Sequence, residues 1–201
     1  VHLVVPTGAY SSYYSDWLAP DPVLGFNRWE TFLTEELPSI VESRFTTNGF
    51  KGIGGVSMGG QAAVHLAANH PDLYSGVMAI SGYYSTTDEI GYQSIRGAVE
   101  GRGGRIENMW GPRGGERWRH HDTIAHPEKL AGTAVYLSTG AARIGDADRA
   151  YYGTDHFAMV LGLLLEKGVV EGTRQFSAAL DRAGVGHRVD YGTTGLHAWH
   201  T

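Results

Sequence analysis

Gly55-Val56-Ser57-Met58-Gly59 has the form G-x-S-x-G and lies between a short apolar stretch, Phe50 to Val56, and an amphipathic one, Gly59 to His70, that Pro71 stops. Strand, sharp turn and helix in that order lift a serine hydroxyl out of a parallel sheet. The flanking glycines permit a strained turn and a close approach of helix to strand. In a chain with 29 glycines the pentapeptide by itself is a weak signal. Its strand and helix context makes Ser57 the candidate nucleophile.

Working outward, strand signals fall at Leu3 to Val5, Phe50 to Val56, Tyr74 to Ser81, Thr133 to Ser138 and His187 to Tyr191. Most are too continuously apolar for a sheet with one wet face. Helical patterns occupy Trp29 to Phe45, Gly59 to His70, Tyr151 to Lys167 and Gly168 to Ala183, the first with Asn27 available as an N-cap. This alternation predicts one α/β domain over residues 1–201, with a mostly parallel sheet and helices on both faces. Residues 83–131, rich in Gly, Arg, His and Trp and without a clear period, read as an irregular excursion at the carboxyl edge of the sheet, where ligand sites form. No internal repeat is visible.

Composition narrows the function classes. The 201 residues are 42% apolar, enough for a substantial core. A formal charge of −5 with no long basic cluster gives a phosphate backbone nothing to grip, so nucleic acid is not an expected partner. With no cysteine, thiolate catalysis and disulfides are excluded. The longest apolar run, Phe157 to Leu165, is about half a membrane span. The chain opens on an apolar strand pattern, Val1-His2-Leu3-Val4-Val5-Pro6, and stops four residues past a candidate histidine. It therefore reads as an internal piece lacking the first strands and the final helix of its fold.

A serine hydroxyl needs an imidazole to take its proton and a carboxylate to orient the imidazole. In the α/β-hydrolase fold the chain order is Ser, Asp/Glu, His, with the histidine just past the last strand. His197, in the loop after His187 to Tyr191, fits that position; His200 is its nearest rival. For the acid, the stretch after the penultimate strand offers Asp146, Asp148, Asp155, Glu166 and Glu171. Pattern divides the choice between the loop pair Asp146 and Asp148 and the helical carboxylates, with Glu166 reading as a solvated partner of Lys167.

Further blocks carry a resemblance: Ser11-Ser12-Tyr13-Tyr14-Ser15-Asp16-Trp17, Arg28-Trp29-Glu30-Thr31-Phe32-Leu33-Thr34-Glu35-Glu36-Leu37-Pro38, Asn108-Met109-Trp110-Gly111-Pro112 and Gly195-Leu196-His197-Ala198-Trp199. In order and spacing they resemble the mycolyltransferases of mycolate-bearing actinobacteria, the antigen 85 complex and its corynebacterial relatives. The resemblance implies a Ser57, Glu171, His197 triad, the Met58 N–H as one oxyanion donor, and Trp199 in a sugar site. It implies transfer of a mycolyl group from trehalose monomycolate to a second trehalose monomycolate or to arabinogalactan. Trehalose mycolates and cell-wall glycolipid would be the partners, and the location secreted or cell-envelope. It also implies an apolar channel for the acyl chain, for which Phe157 to Leu165 is a candidate wall.

The chain departs from that family in two ways. The loop carrying the second oxyanion donor and the trehalose-gripping residues is not in this sequence. The family's Thr-His-Ser-Trp stands here as Leu196-His197-Ala198-Trp199, which removes two hydroxyls beside the base and bears on acceptor choice. A carboxylesterase of the esterase-D type shares the same elbow and triad, and a non-catalytic secreted binding protein is the reading from another class. His120-His121-Asp122 with His126 reads as solvated loop residues, since adjacent side chains diverge. No cofactor or metal is expected.

Overall fold

The computed structural model describes residues 1–198, so Trp199 and His200 lie outside the described residues. The order is α1 (Trp29–Thr31), a π-helical turn (Phe32–Glu36), α2 (Leu37–Arg44), β1 (Gly52–Val56), α3 (Met58–Asn69), β2 (Gly76–Ile80), α4 (Glu89–Glu100), α5 (Ile106–Trp110), α6 (Glu116–His120), two 3-10 turns (Thr123–Ala125 and Pro127–Leu130), β3 (Ala134–Thr139), α7 (Asp146–Tyr152), α8 (His156–Arg182) and β4 (His187–Tyr191). Two compact units emerge. One holds Val1–Gly49 with Thr86–His121; the other holds Phe50–Ser85 and the chain from Asp122 onward.

The second unit contains the sheet, β1-β2-β3-β4 in sequence order, with every neighbouring pair parallel. Parallel neighbours require crossovers, and α3 and α8 are packed against the strands they connect. Val77, Ala79, Val135 and Leu137 form the buried row that these helices cover. Tyr84 and Phe176 stack within the same core, ring centroids 4.4 Å apart, and burial pushes the Tyr84 hydroxyl above its ordinary pKa.

The first unit is tied together by the blocks that carry the family resemblance. Asp16 accepts hydrogen bonds from the Thr31 hydroxyl (2.5 Å) and backbone N–H (3.1 Å) and pairs with Arg28 at 3.0 Å. The Trp110 indole donates to Ser15 Oγ, and its ring meets Trp118 edge-on. Asp21 accepts from the N–H groups of Val23, Leu24 and Arg105 and from the Asn108 amide. Burial alone would raise the Asp21 carboxyl, but these donors outweigh it and hold the group at about 2.

Several sequence expectations change. Leu3 to Val5 forms no strand, and Leu3 and Val5 are exposed. A strand exists only through a ladder with a neighbour, and β1 is the edge of the described sheet. Arg28, not Asn27, is the N-cap of α1; the Asn27 amide instead donates to Leu24 O. The stretch read as irregular contains α4, with Gly91, Ile95 and Val99 on its buried face and Asp88 accepting from Gly91 N at its start. The two helices expected at Tyr151 to Lys167 and Gly168 to Ala183 are one 27-residue helix, α8, that runs through Gly168, and Tyr151 and Tyr152 instead end the separate α7. An interior glycine costs a helix only about 1 kcal/mol, which tertiary packing can exceed. His121 and Asp122 are buried rather than solvated: His121 stacks on Trp110 at 4.1 Å, and Asp122 accepts from the Ser85 hydroxyl.

Candidate active site

Ser57 joins β1 to α3 with φ 56° and ψ −119°, a region that L-residues rarely enter. Its N–H donates to Ile80 O on β2, and its carbonyl accepts from Gln61 N in the first turn of α3. Close approach explains the glycines around it. A Cβ on Gly55 would stand 2.2 Å from Gly59 O, and one on Gly60 would stand 3.0 Å from Ile80 O. Met58 is the first residue of α3, so its N–H is among the helix donors with no intrahelical acceptor.

Ser57 Oγ lies 2.7 Å from His197 Nε2, and His197 Nδ1 lies 2.7 Å from Glu166 Oε2. All three residues belong to the unit that holds the sheet. The imidazole is partly covered, and the Glu166 side chain is fully buried at 0% exposure. Its second oxygen, Oε1, accepts from the Ser81 hydroxyl (2.8 Å), the Thr139 hydroxyl (2.7 Å) and Gly140 N (2.7 Å). Burial by itself would raise the Glu166 carboxyl, but hydrogen bonds from His197, Thr139 and Ser81 outweigh it and hold the group below the ordinary carboxylate range. The carboxylate is thus ionised, and it faces the imidazole through a single oxygen.

This arrangement corrects the choice of acid. Glu171 is exposed; its carboxylate accepts from the Gln175 amide and sits 4.0 Å from Arg174. The two glutamates are five residues apart, which on an α-helix is about 140° around the axis, so one faces the core while the other faces water. Both lie on the same helix and precede His197 in the chain, so chain order could not separate them. The signal that separates them is the buried stripe of α8: Met159, Gly162, Glu166, Val169, Val170, Thr173, Phe176 and Leu180 recur at helical spacing, and Glu166 interrupts it as a lone carboxylate. Glu166 is therefore not the solvated partner of Lys167 that local pattern suggests. Of the loop candidates, Asp148 is buried on α7, where it accepts from Gly145 N and Leu196 N; Asp146 opens α7.

Ser81, Thr139 and Gly140 were not anticipated. Ser81 follows β2, Thr139 ends β3 and Gly140 comes next, so all three stand at carboxyl ends of parallel strands, where sites of such sheets form. The Phe157 to Leu165 stretch is not an ordinary buried face. Met159 and Gly162 are buried, while Phe157 and Leu164 are 82% and 60% exposed.

A parallel sheet crossed by helices, with a strained serine at a strand-to-helix turn, defines an α/β-hydrolase-fold protein. The chain belongs to the Putative esterase family, whose model matches residues 1–200. It is 31% identical over 209 residues to diacylglycerol acyltransferase/mycolyltransferase Ag85B of Mycobacterium avium, covering 98% of this chain and 60% of the relative. To Ag85A of Mycobacterium ulcerans it is 32% identical over 215 residues, covering 99% and 59%. The chain thus spans about three fifths of the length of the curated relatives it matches. Among solved structures, Mycobacterium tuberculosis MPT51 superposes with a TM-score of 0.76 at 27% identity, covering 96% of this chain and 69% of that one. An S-formylglutathione hydrolase from Agrobacterium tumefaciens superposes at 0.64 and 19% identity, over 93% and 56%, a likeness of fold alone.

Proposed function

We propose that this protein is a serine acyltransferase that moves a long-chain acyl group, of the mycolyl type, from trehalose monomycolate to trehalose monomycolate or cell-wall arabinogalactan. The carrying observation is the continuous relay Ser57 Oγ, His197 Nε2, His197 Nδ1, Glu166 Oε2, with 2.7 Å at both hydrogen bonds. The mycolyltransferase relatives support the transfer chemistry.

In the proposed reaction Ser57 Oγ attacks the ester carbonyl as its proton passes to His197 Nε2. Buried Glu166 stabilises the imidazolium and keeps Nδ1 protonated throughout. The Met58 N–H supports the developing oxyanion, a contribution of about 10²–10³-fold for such a donor. Collapse breaks the bond to the sugar oxygen, which leaves with the proton from Nε2. In the second half-reaction a sugar hydroxyl gives its proton to Nε2 and attacks the acyl-serine carbonyl; the bond from the acyl carbon to Ser57 Oγ then breaks, and Oγ takes the proton back from Nε2. Trp199 is proposed to contribute to the sugar site. The exposed apolar stripe Phe157, Val160, Leu161, Leu164 and Leu165 lies on the helix that carries Glu166, which suits a long acyl chain beside the reacting ester. Secretion to the cell envelope goes with this substrate.

The test is the product ratio from a trehalose monoacyl ester, using the protein at its natural length with a Ser57→Ala control. Trehalose diester with little free acid supports transfer. Free acid as the dominant product makes the protein a hydrolase and removes the mycolyl assignment.

A further inference from the structure

We propose that Asp148 is a positioning residue for His197, acting through the backbone of Leu196; the inference rests on the acyl-serine reading above. His197 sits on a loop beyond β4, and a base on a loop must be held to a fraction of an ångström to stay within reach of its serine. The structure holds it by a run of backbone donors. Gly192 N donates to Thr139 O (2.9 Å), Gly195 N to Arg143 O (2.9 Å), Leu196 N to Asp148 Oδ1 (3.2 Å) and His197 N to Gly162 O (3.1 Å). Three of these four acceptors are main-chain carbonyls that any residue supplies. Only Asp148 depends on side-chain identity, and it grips the residue immediately before the base.

The carboxylate is buried at 1% exposure, and its other oxygen accepts from Gly145 N at 2.7 Å. A helix cap alone needs one oxygen and no burial. Here the second oxygen crosses to a residue 48 positions later, so the orientation of α7 and that of the histidine loop are set by one rigid group. Packing is close on the same side: a Cβ on Gly145 would stand 2.9 Å from Thr194 Oγ1. Leu196 is itself buried, so the bond from its N–H to Asp148 is made away from solvent.

The experiment uses the full-length protein, p-nitrophenyl butyrate turnover, the rate of Ser57 labelling by a fluorophosphonate, and the far-downfield proton resonance of an imidazole Nδ1–H bonded to a carboxylate. Asp148→Ala is expected to lower kcat by about 10²-fold with KM held within about twofold, and to slow labelling by the same factor. The downfield resonance should broaden or vanish. Asp148→Asn, which keeps one acceptor, should recover part of the rate; it also serves if the alanine variant does not fold. Wild-type kcat and an unchanged resonance in a folded variant with a lowered Tm would make Asp148 a helix cap only and overturn the proposal. Ser57→Ala separates the two failures. If it abolishes turnover while Asp148 variants keep the full rate, only the positioning role falls; if it leaves turnover intact, the acyl-serine reading falls and takes this proposal with it.

Discussion

Ser57 holds a backbone state that costs a non-glycine residue about 1–3 kcal/mol, and bonds to Ile80 and Gln61 on either side over-determine it. The gain is a hydroxyl aimed at His197. Ser57→Ala should therefore abolish covalent capture of an activated phosphonate while leaving the thermal midpoint near the wild-type value, as labelling and calorimetry would check. Glu166→Gln should cost about 10³–10⁴-fold in kcat, because an amide can stabilise neither the tautomer nor the imidazolium. Glu171→Gln should stay within about twofold of wild type, since exposed pairs of its kind contribute little. A reversed result, mild for Glu166 and severe for Glu171, would be visible in the same steady-state assay and would remove the buried relay from catalysis. Glu166 was readable in the sequence only by projecting the apolar stripe of α8 backwards from Val169, Val170 and Thr173. Read as a neighbour of Lys167, it looks like any solvated charge.

At the scale of elements, glycine placement separates close approach from ordinary helix. Gly55 lies where β1 meets the start of α3, and a methyl there would overlap the Gly59 carbonyl. Gly55→Ala should destabilise the protein by about 3 kcal/mol or more, or prevent its accumulation in soluble form. Gly97 is the contrast: it lies inside α4, exposed, and a methyl group added there would meet nothing within 4 Å. Gly97→Ala should raise stability by about 0.5–1 kcal/mol, readable as a higher denaturant midpoint at constant m-value. The strands β1 to β3 were legible as short apolar runs, and β4 as a Val- and Tyr-bearing segment between Gly186 and Gly192. The helix after Ser57 was legible by its start at the G-x-S-x-G turn and its stop before Pro71, although its residues Gly60 to Ala68 are buried all round rather than on one face. Leu3 to Val5 has the same apolar character and forms no strand, because pairing is a property of two segments and composition describes one.

For the molecule as a whole, pH is the most direct probe. The Asp21 and Glu166 carboxyls both lie below their ordinary values, Asp21 at about 2. A depressed folded pKa stabilises the native state fully above the unfolded value of about 4, and that stability is lost as pH falls through the folded value. The thermal midpoint should therefore be flat above about pH 5 and drop steeply between about pH 4 and 2, and Asp21→Asn should lower the plateau and flatten part of the drop. A midpoint that instead rises on acidification would contradict both assignments. The sequence by itself determined the fold class, the place of Ser57 at a strand-to-helix turn and a histidine past the last strand, because these follow from local periodicity and chain order. Only the tertiary structure decided which carboxylate meets the histidine, which hydroxyls hold that carboxylate ionised, and that Asp148 anchors the histidine loop. Those choices depend on which side of a helix faces the core and on contacts between residues 26 to 140 positions apart, and neither is expressed in local pattern.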